Sequence, residues 1–449
     1  MMPARPALLA RPRAAPLAWP RADAVSLLTC YLVLLMAIPS SLVVGSFGAA
    51  GGPAALFAVV LAGWYLVGRQ HPAALLDHGQ QPVRVAAAAF GCSVVASYVA
   101  ANRMVLPGPQ RNGADRGLLV LTGWLGVALL AADGIDGAER LQALIRRIVT
   151  GATAMAALGI AEFLTGVVFT KYVSIPGLTV HAQLTDLISR DGLSRVIATA
   201  AQPLEFTAVL AMCLPLALYQ ARFAAPGRRR WRWTQVVLIA GALPMTVSRS
   251  AIVGLAVICA VLIPAWSRRD RRRAYLVLVI APVAVWLAKP GLLTSFAGLF
   301  RQLGSDSSSL SRTDAYSAAV PFIAHHPWLG SGFQTFFPQT YFFVDNQYLT
   351  SLIEDGVIGL AALVALLATG WFTARSARHA SADPNTRELA QCLAASVAAA
   401  AACFATFDAL SFTIASGLCF LLVGCTGALW RLATAARRSS LVPPARSAS

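Results

Sequence analysis

The sequence predicts an all-α fold, a polytopic membrane bundle of about twelve transmembrane helices, and three observations predict it. Of 449 residues, 57% are hydrophobic and 12% are charged, with a mean hydropathy of +0.65. That is more apolar surface than one water-soluble core hides. The apolar residues come as long blocks, and a run of roughly 17 to 25 suffices to cross the hydrocarbon as a helix. Basic residues stand in short clusters between the blocks, as connections at one membrane face do.

The first 24 residues carry Arg5, Arg11, Arg13 and Arg21 ahead of an apolar run. The run is too long for a signal peptide and has no convincing A-x-A exit, so residues 1–24 read as a cytoplasmic tail before a first span. Spans are expected at 25–44, 54–68, 84–101, 117–132 and 147–168, the shorter ones crossing because edge arginines snorkel. A long connection, 169–202, leads to spans at 203–220, 233–247, 249–266 and 274–288. A longer one, 289–355, precedes spans at 356–374, 388–407 and 411–430, and residues 436–449 form a second tail. Residues 25–435 are expected to make a single bundle.

The formal charge of +17 does not point to nucleic acid, because the cations are interrupted by apolar runs and form no stripe along one face. With the amino terminus inside, 26 of the 36 basic residues fall on the cytoplasmic side. This asymmetry predicts that both termini are cytoplasmic. The loops 222–232 and 267–273 read as topological anchors with attraction for anionic membrane lipids. All eight cysteines lie inside apolar runs without C-x-x-C spacing, and read as small buried hydrophobes, with no disulfide and no metal site.

Connections longer than about 12 to 15 residues are usually functional or disordered. Function is therefore expected at the outer face, where 169–202 and 289–355 lie. Ser311 and Asp314 make a capping-box pattern, and apolar positions 315, 316, 319, 320, 322 and 323 recur at helical spacing. This predicts an amphipathic helix that Pro321 bends or ends. Asp345 precedes a second helical pattern that stops near Gly356, and reads either as its N-cap or as a reactive carboxylate. Arg249, in TVSRSAI between two apolar runs, is an arginine at the membrane edge. Such a charge is expensive unless it faces protein, water or an anion.

These residues have a family likeness. Arg312 and Tyr316, then HHPWLGSGFQTF, DNQYL and EDGVIGL, together resemble the signature of the O-antigen ligase and O-antigen polymerase superfamily. Upstream, SRVIATAAQP at 194–203 is similar to its R-x-x-G-x-x-x-x-P segment, and SRSA at 248–251 to its S-R-[GS]-A segment. The likeness covers the middle and late thirds of the chain. It departs at Asp345, where the family has histidine, and at Ala198, where it has glycine.

The resemblance implies a glycosyltransferase of the bacterial cytoplasmic membrane. It would move a glycan from a polyprenyl diphosphate carrier to an acceptor hydroxyl, on a glycan or a lipid, at the outer face, without a metal or other cofactor. Arginine suits such a donor, since its planar fork grips phosphate bidentately and stays protonated. Arg195, Arg249 and Arg312 are the expected carrier-diphosphate ligands. Asp345 is the expected base, with His326 as a second catalytic candidate; Glu205, Asn346 and Tyr316 are expected to support them. Arginines in a bundle also suit a secondary transporter of an anionic solute, and the missing family histidine suits a non-catalytic partner in envelope assembly.

Overall fold

The structure is a computed structural model that describes residues 23–70, 76, 79–103, 106–181, 189–190, 193–288, 307–338 and 340–441. Fourteen α-helices run through them: α1 Ala24–Ala37, α2 Pro53–Gln70, α3 Pro82–Ala101, α4 Gly108–Gly134, α5 Ala138–Thr165, α6 Pro203–Arg222, α7 Arg229–Met245, α8 Arg249–Leu262, α9 Arg268–Ala288, α10 Ser307–His325, α11 Gln347–Glu354, α12 Gly356–Ala380, α13 Pro384–Phe404 and α14 Thr413–Leu441. The only sheet among the described residues is two short antiparallel ribbons, β1 (Leu42–Val43) with β2 (Thr179–Val180) and β3 (Ser189–Arg190) with β4 (Leu193–Ser194).

Each of the twelve expected runs contains a helix, and seven of those helices are long and apolar enough to cross a membrane: α3, α4, α5, α6, α12, α13 and α14. Boundaries follow local chemistry. Asp23 starts α1 by accepting from the amides of Val25 and Ser26. Prolines whose missing N–H costs nothing at a first turn start α3, α6 and α13. The first expected span is cut short, since α1 stops at Ala37 and Ile38 turns extended ahead of Pro39. Helices α4 and α5 each begin nine residues before their expected spans, so Arg140, Arg146 and Arg147 stand within α5.

One continuous cluster of buried apolar side chains runs from Ala24 to Ala433. Val33, Val60, Leu66, Val85, Val237, Leu276 and Phe372 are exposed on the outsides of the helices, as lipid-facing residues are. The chain is a multi-pass membrane protein. Five of the eight cysteines are buried as expected; Cys30 and Cys92 are exposed and Cys259 is half-buried, so the reading of all eight as buried is corrected. An apolar block has a lipid side as well as a protein side, and the thiols fall on both.

The described connections gather at two ends. At one end Ser40 N donates to Thr199 O, His181 N to Ser41 O, Arg195 Nε to Thr246 O and Gln334 Nε2 to Leu410 O. At the opposite end Asp133, with its side chain fully buried, accepts from Tyr65 (2.6 Å) and Arg84 (3.0 Å), and Arg222 pairs with Asp270 and Glu388.

Candidate active site

The first of the two ends holds most of the expected site residues. Helix α5 closes on Gly166, and four residues earlier the buried Glu162 turns its Oε2 to the amides of Ile197 (3.1 Å) and Ala198 (2.8 Å). This fixes the backbone just after Arg195. The Arg195 Nε donates to the carbonyl of Thr246 at 3.0 Å, in the turn between α7 and α8. Ser248 caps α8, its hydroxyl accepting from Ser250 N (3.2 Å), and Arg249 is the first residue of that helix, half-buried. Two arginines 54 positions apart in sequence thus meet at one turn. The unpaired amides of a helix start favour an anion there, and a cation in that place gains from one.

That turn is strained. Val247 has φ 44°, and Ala198 has φ 51°. Left-handed backbone is uncommon for any side chain and a true outlier for a β-branched one. Ala198 occupies the position where the resembling family has glycine. Gln334, φ 59°, is the third such residue among those described; Ala198 and Gln334 lie within the expected motifs, and Val247 directly precedes SRSA. Backbone strain of this kind concentrates at functional sites.

The connection 405–412, between α13 and α14, joins the arginine turn to α11. Thr406 Oγ1 lies 2.7 Å from Ser250 Oγ, beside Arg249. Phe407 O accepts from Gln347 N (3.1 Å), and Leu410 N donates to Gln347 Oε1 (2.7 Å). Tyr348 is fastened to Ala401 O at 2.7 Å. Asp345 and Asn346 are therefore carried to the same connection as Arg249.

Asn346, and not Asp345, caps α11, its Oδ1 accepting from Tyr348 N (3.0 Å) and Leu349 N (3.4 Å). Its Nδ2 donates to the Tyr316 hydroxyl at 2.9 Å, tying α11 to α10. The N-cap alternative for Asp345 is thereby answered, and its carboxylate is spared that duty. Asp408 stands close enough for the Asp345 charge to act on it. Burial first, with Asp345 adding to it against the Ser411 side chain, pushes the Asp408 carboxyl up to about 7.

The glycine turn and the EDG junction lock together. Gly330 and Gly356 have φ of 68° and 65°. A Cβ on the first would lie 2.2 Å from the Glu354 carbonyl, and on the second 2.4 Å from that of Trp328. Gly332 N donates to Glu354 O (2.8 Å) and Val357 N to Pro327 O (2.9 Å). The buried Glu354 side chain accepts from Phe336 N (3.0 Å), and burial, opposed by backbone amides, pushes its carboxyl up to about 8. Asp355 is wholly buried with no hydrogen-bond partner for either oxygen among the described residues; burial, then the Glu354 charge, hold it well above the usual carboxylate range.

The remaining expected residues are placed differently. The Arg312 side chain lies outside the described residues. Helix α10, which carries it, starts at Ser307 and continues past Pro321 to His325, so that proline neither ends nor interrupts it. It falls in the last turns, where the lost N–H removes one helical bond only. His326 is exposed, and it is its backbone carbonyl that engages the turn, accepting from Gly330 N (3.0 Å). The buried Glu205 accepts from Ala201 N (2.7 Å), Ile414 N (2.7 Å) and Ala415 N (3.2 Å), capping α14 from α6. Asp408 and Thr406 are the residues that motif reading missed. The available signal was a lone aspartate in the three-residue break, 408–410, between the last two expected spans.

No curated protein matches the chain. Against known families, residues 235–364 match the O-antigen ligase family. The matched segment contains Arg249, Arg312, Tyr316, His326, Asp345 and Asn346, while Arg195, Glu205 and Asp408 lie outside it. This match over 235–364 supports the superfamily resemblance that the motifs carry.

Proposed function

We propose that the protein is a glycosyltransferase of the ligase or polymerase type. It transfers a glycan from a polyprenyl diphosphate carrier to an acceptor hydroxyl, on a glycan or lipid, at the outer face of the bacterial cytoplasmic membrane. The observation that carries the reading is the meeting of Arg195 and Arg249 at one strained helix start, with Asp345 fastened to the same connection. The chain crosses twelve times as a single bundle over 25–435, with both termini cytoplasmic. The charge asymmetry supports that orientation.

In this reading Arg195, Arg249 and Arg312 grip the diphosphate. Asp345 takes the proton of the acceptor hydroxyl as its oxygen attacks the anomeric carbon, and the bond from that carbon to the diphosphate oxygen breaks. The guanidinium groups offset the charge that develops on the leaving diphosphate. Asn346 and Tyr316 hold α11 and α10 in register around Asp345, and Glu205 seats α14 behind them. His326, at the rim, is a second proton-transfer group. No metal or organic cofactor takes part.

Arg249→Ala tests this in cells. The variant is expected to reach normal abundance in the membrane while lipid-linked glycan accumulates and transfer falls about 100-fold or more, the usual cost of one such electrostatic group. Arg249→Lys should recover only part, because a lysine does not reproduce the fork. Normal transfer by Arg249→Ala would refute the assignment.

A further inference from the structure

At the end of the bundle opposite the site, a cavity of about 190 Å³ opens between α5, α6, α7 and α13. Arg146 of α5, Arg228 and Arg232 converge on it, with Tyr219, Gln220 and Asn385 completing the polar wall. None of the three arginines is paired with a carboxylate among the described residues. The nearby Asp383 caps α13, accepting from Asn385 N, Thr386 N and the Thr386 hydroxyl. Burial, and then the like charges of Arg146 and Arg228, pull Arg232 below its ordinary value.

A second observation is independent of charge. Gln220 is 6% exposed, and neither its Oε1 nor its Nε2 has a hydrogen-bond partner among the described residues. A buried carboxamide without partners carries the full desolvation cost of its polar atoms, and a group bound in the cavity would relieve that cost. The cavity is smaller than the ~300 Å³ of a drug-sized site, which suits one or two phosphate groups. Its lip is apolar, with Phe223 45% exposed, and Trp231 and Trp233 stand exposed nearby at 54% and 40%. Exposed tryptophans sit at headgroup level.

We propose that Arg146, Arg228, Arg232 and Gln220 form a binding pocket for a phosphate group, carried by an anionic phospholipid or by a soluble phosphate or diphosphate. It is separate from the transfer site and does not depend on the reading of that site.

Purified full-length protein tests it in two arms: inorganic phosphate and diphosphate titrated in detergent, and nanodiscs of phosphatidylcholine with or without phosphatidylglycerol. Thermal unfolding and calorimetry are the readouts. The wild type is expected to be stabilised in at least one arm. A response to the inorganic anions identifies a soluble ligand as sufficient, and a response to phosphatidylglycerol alone identifies the lipid. Arg146→Gln with Arg232→Gln removes two charge-assisted contacts and should weaken apparent binding at least about tenfold. Gln220→Glu, which places a carboxylate among the arginines, should raise the melting temperature without ligand and abolish the response. No stabilisation of the wild type in either arm, or an unchanged response in Gln220→Glu, would overturn the proposal.

Discussion

Asp345 and Asn346 are neighbours with separate duties. The asparagine spends its side chain on the helix start and on Tyr316, which leaves the aspartate to face the connection 405–412. Asp345→Asn should therefore cut transfer by about 100-fold or more with little change in melting temperature. Asn346→Ala should cost about 1 kcal/mol of stability, as a lost N-cap does. Transfer rates and melting curves of the two variants, side by side, check this split. Asp408 has a pH signature. Its proton is held more tightly in the folded chain than in the unfolded one, so between about pH 4 and its raised value near 7 the folded state binds more protons. Stability then falls as pH rises through that window. Glu354, raised to about 8, carries the same trend further. Melting temperature followed from pH 5 to 8 should decline, and Asp408→Asn should make the decline shallower; an unchanged slope would contradict the assignment.

At the scale of elements, the interlocked pair Gly330 and Gly356 decides how α11 and α12 meet the glycine turn. Gly356→Ala faces both a left-handed backbone and a carbonyl 2.4 Å from the new methyl carbon. The left-handed conformation alone costs roughly 1 to 2 kcal/mol for a residue with a side chain. A lower melting temperature is expected, and early protection loss in hydrogen exchange should start at 327–336 and 353–358. Much of this level was legible in the sequence. Apolar runs, prolines and caps located every helix of the bundle, and the P-x-x-G-x-G and EDG segments stood out as motifs. What periodicity did not carry was where helices stop. Pro39 shortened α1, and α10 ran through Pro321, because one missing N–H near a helix end is cheap while a proline's restriction of the residue before it is not.

At the scale of the whole molecule, the site is a product of long-range pairing. Arg195 could be singled out from its motif, but its bond to Thr246 links residues 51 apart, and no local pattern encodes that. Asp408 belongs to none of the motifs. It becomes a half-buried carboxyl only because α11 and the segment around Gln334 fold over its connection. Glu205, chosen as a partner for the arginines, is taken up instead by the start of α14, 209 residues away. The two ends of the bundle also differ in chemistry, one carrying the strained arginine turn and its carboxylates, the other the 190 Å³ cavity, whose three arginines meet no carboxylate among the described residues. Both kinds of end are built by the same up-and-down threading of apolar helices. The central claim is that Arg195 and Arg249 together hold a lipid-borne diphosphate. Equilibrium binding of polyprenyl diphosphate to the purified protein tests it most directly. Arg195→Ala and Arg249→Ala are each expected to weaken binding at least about tenfold relative to wild type, whereas wild-type affinity in a folded Arg249→Ala variant would contradict the account.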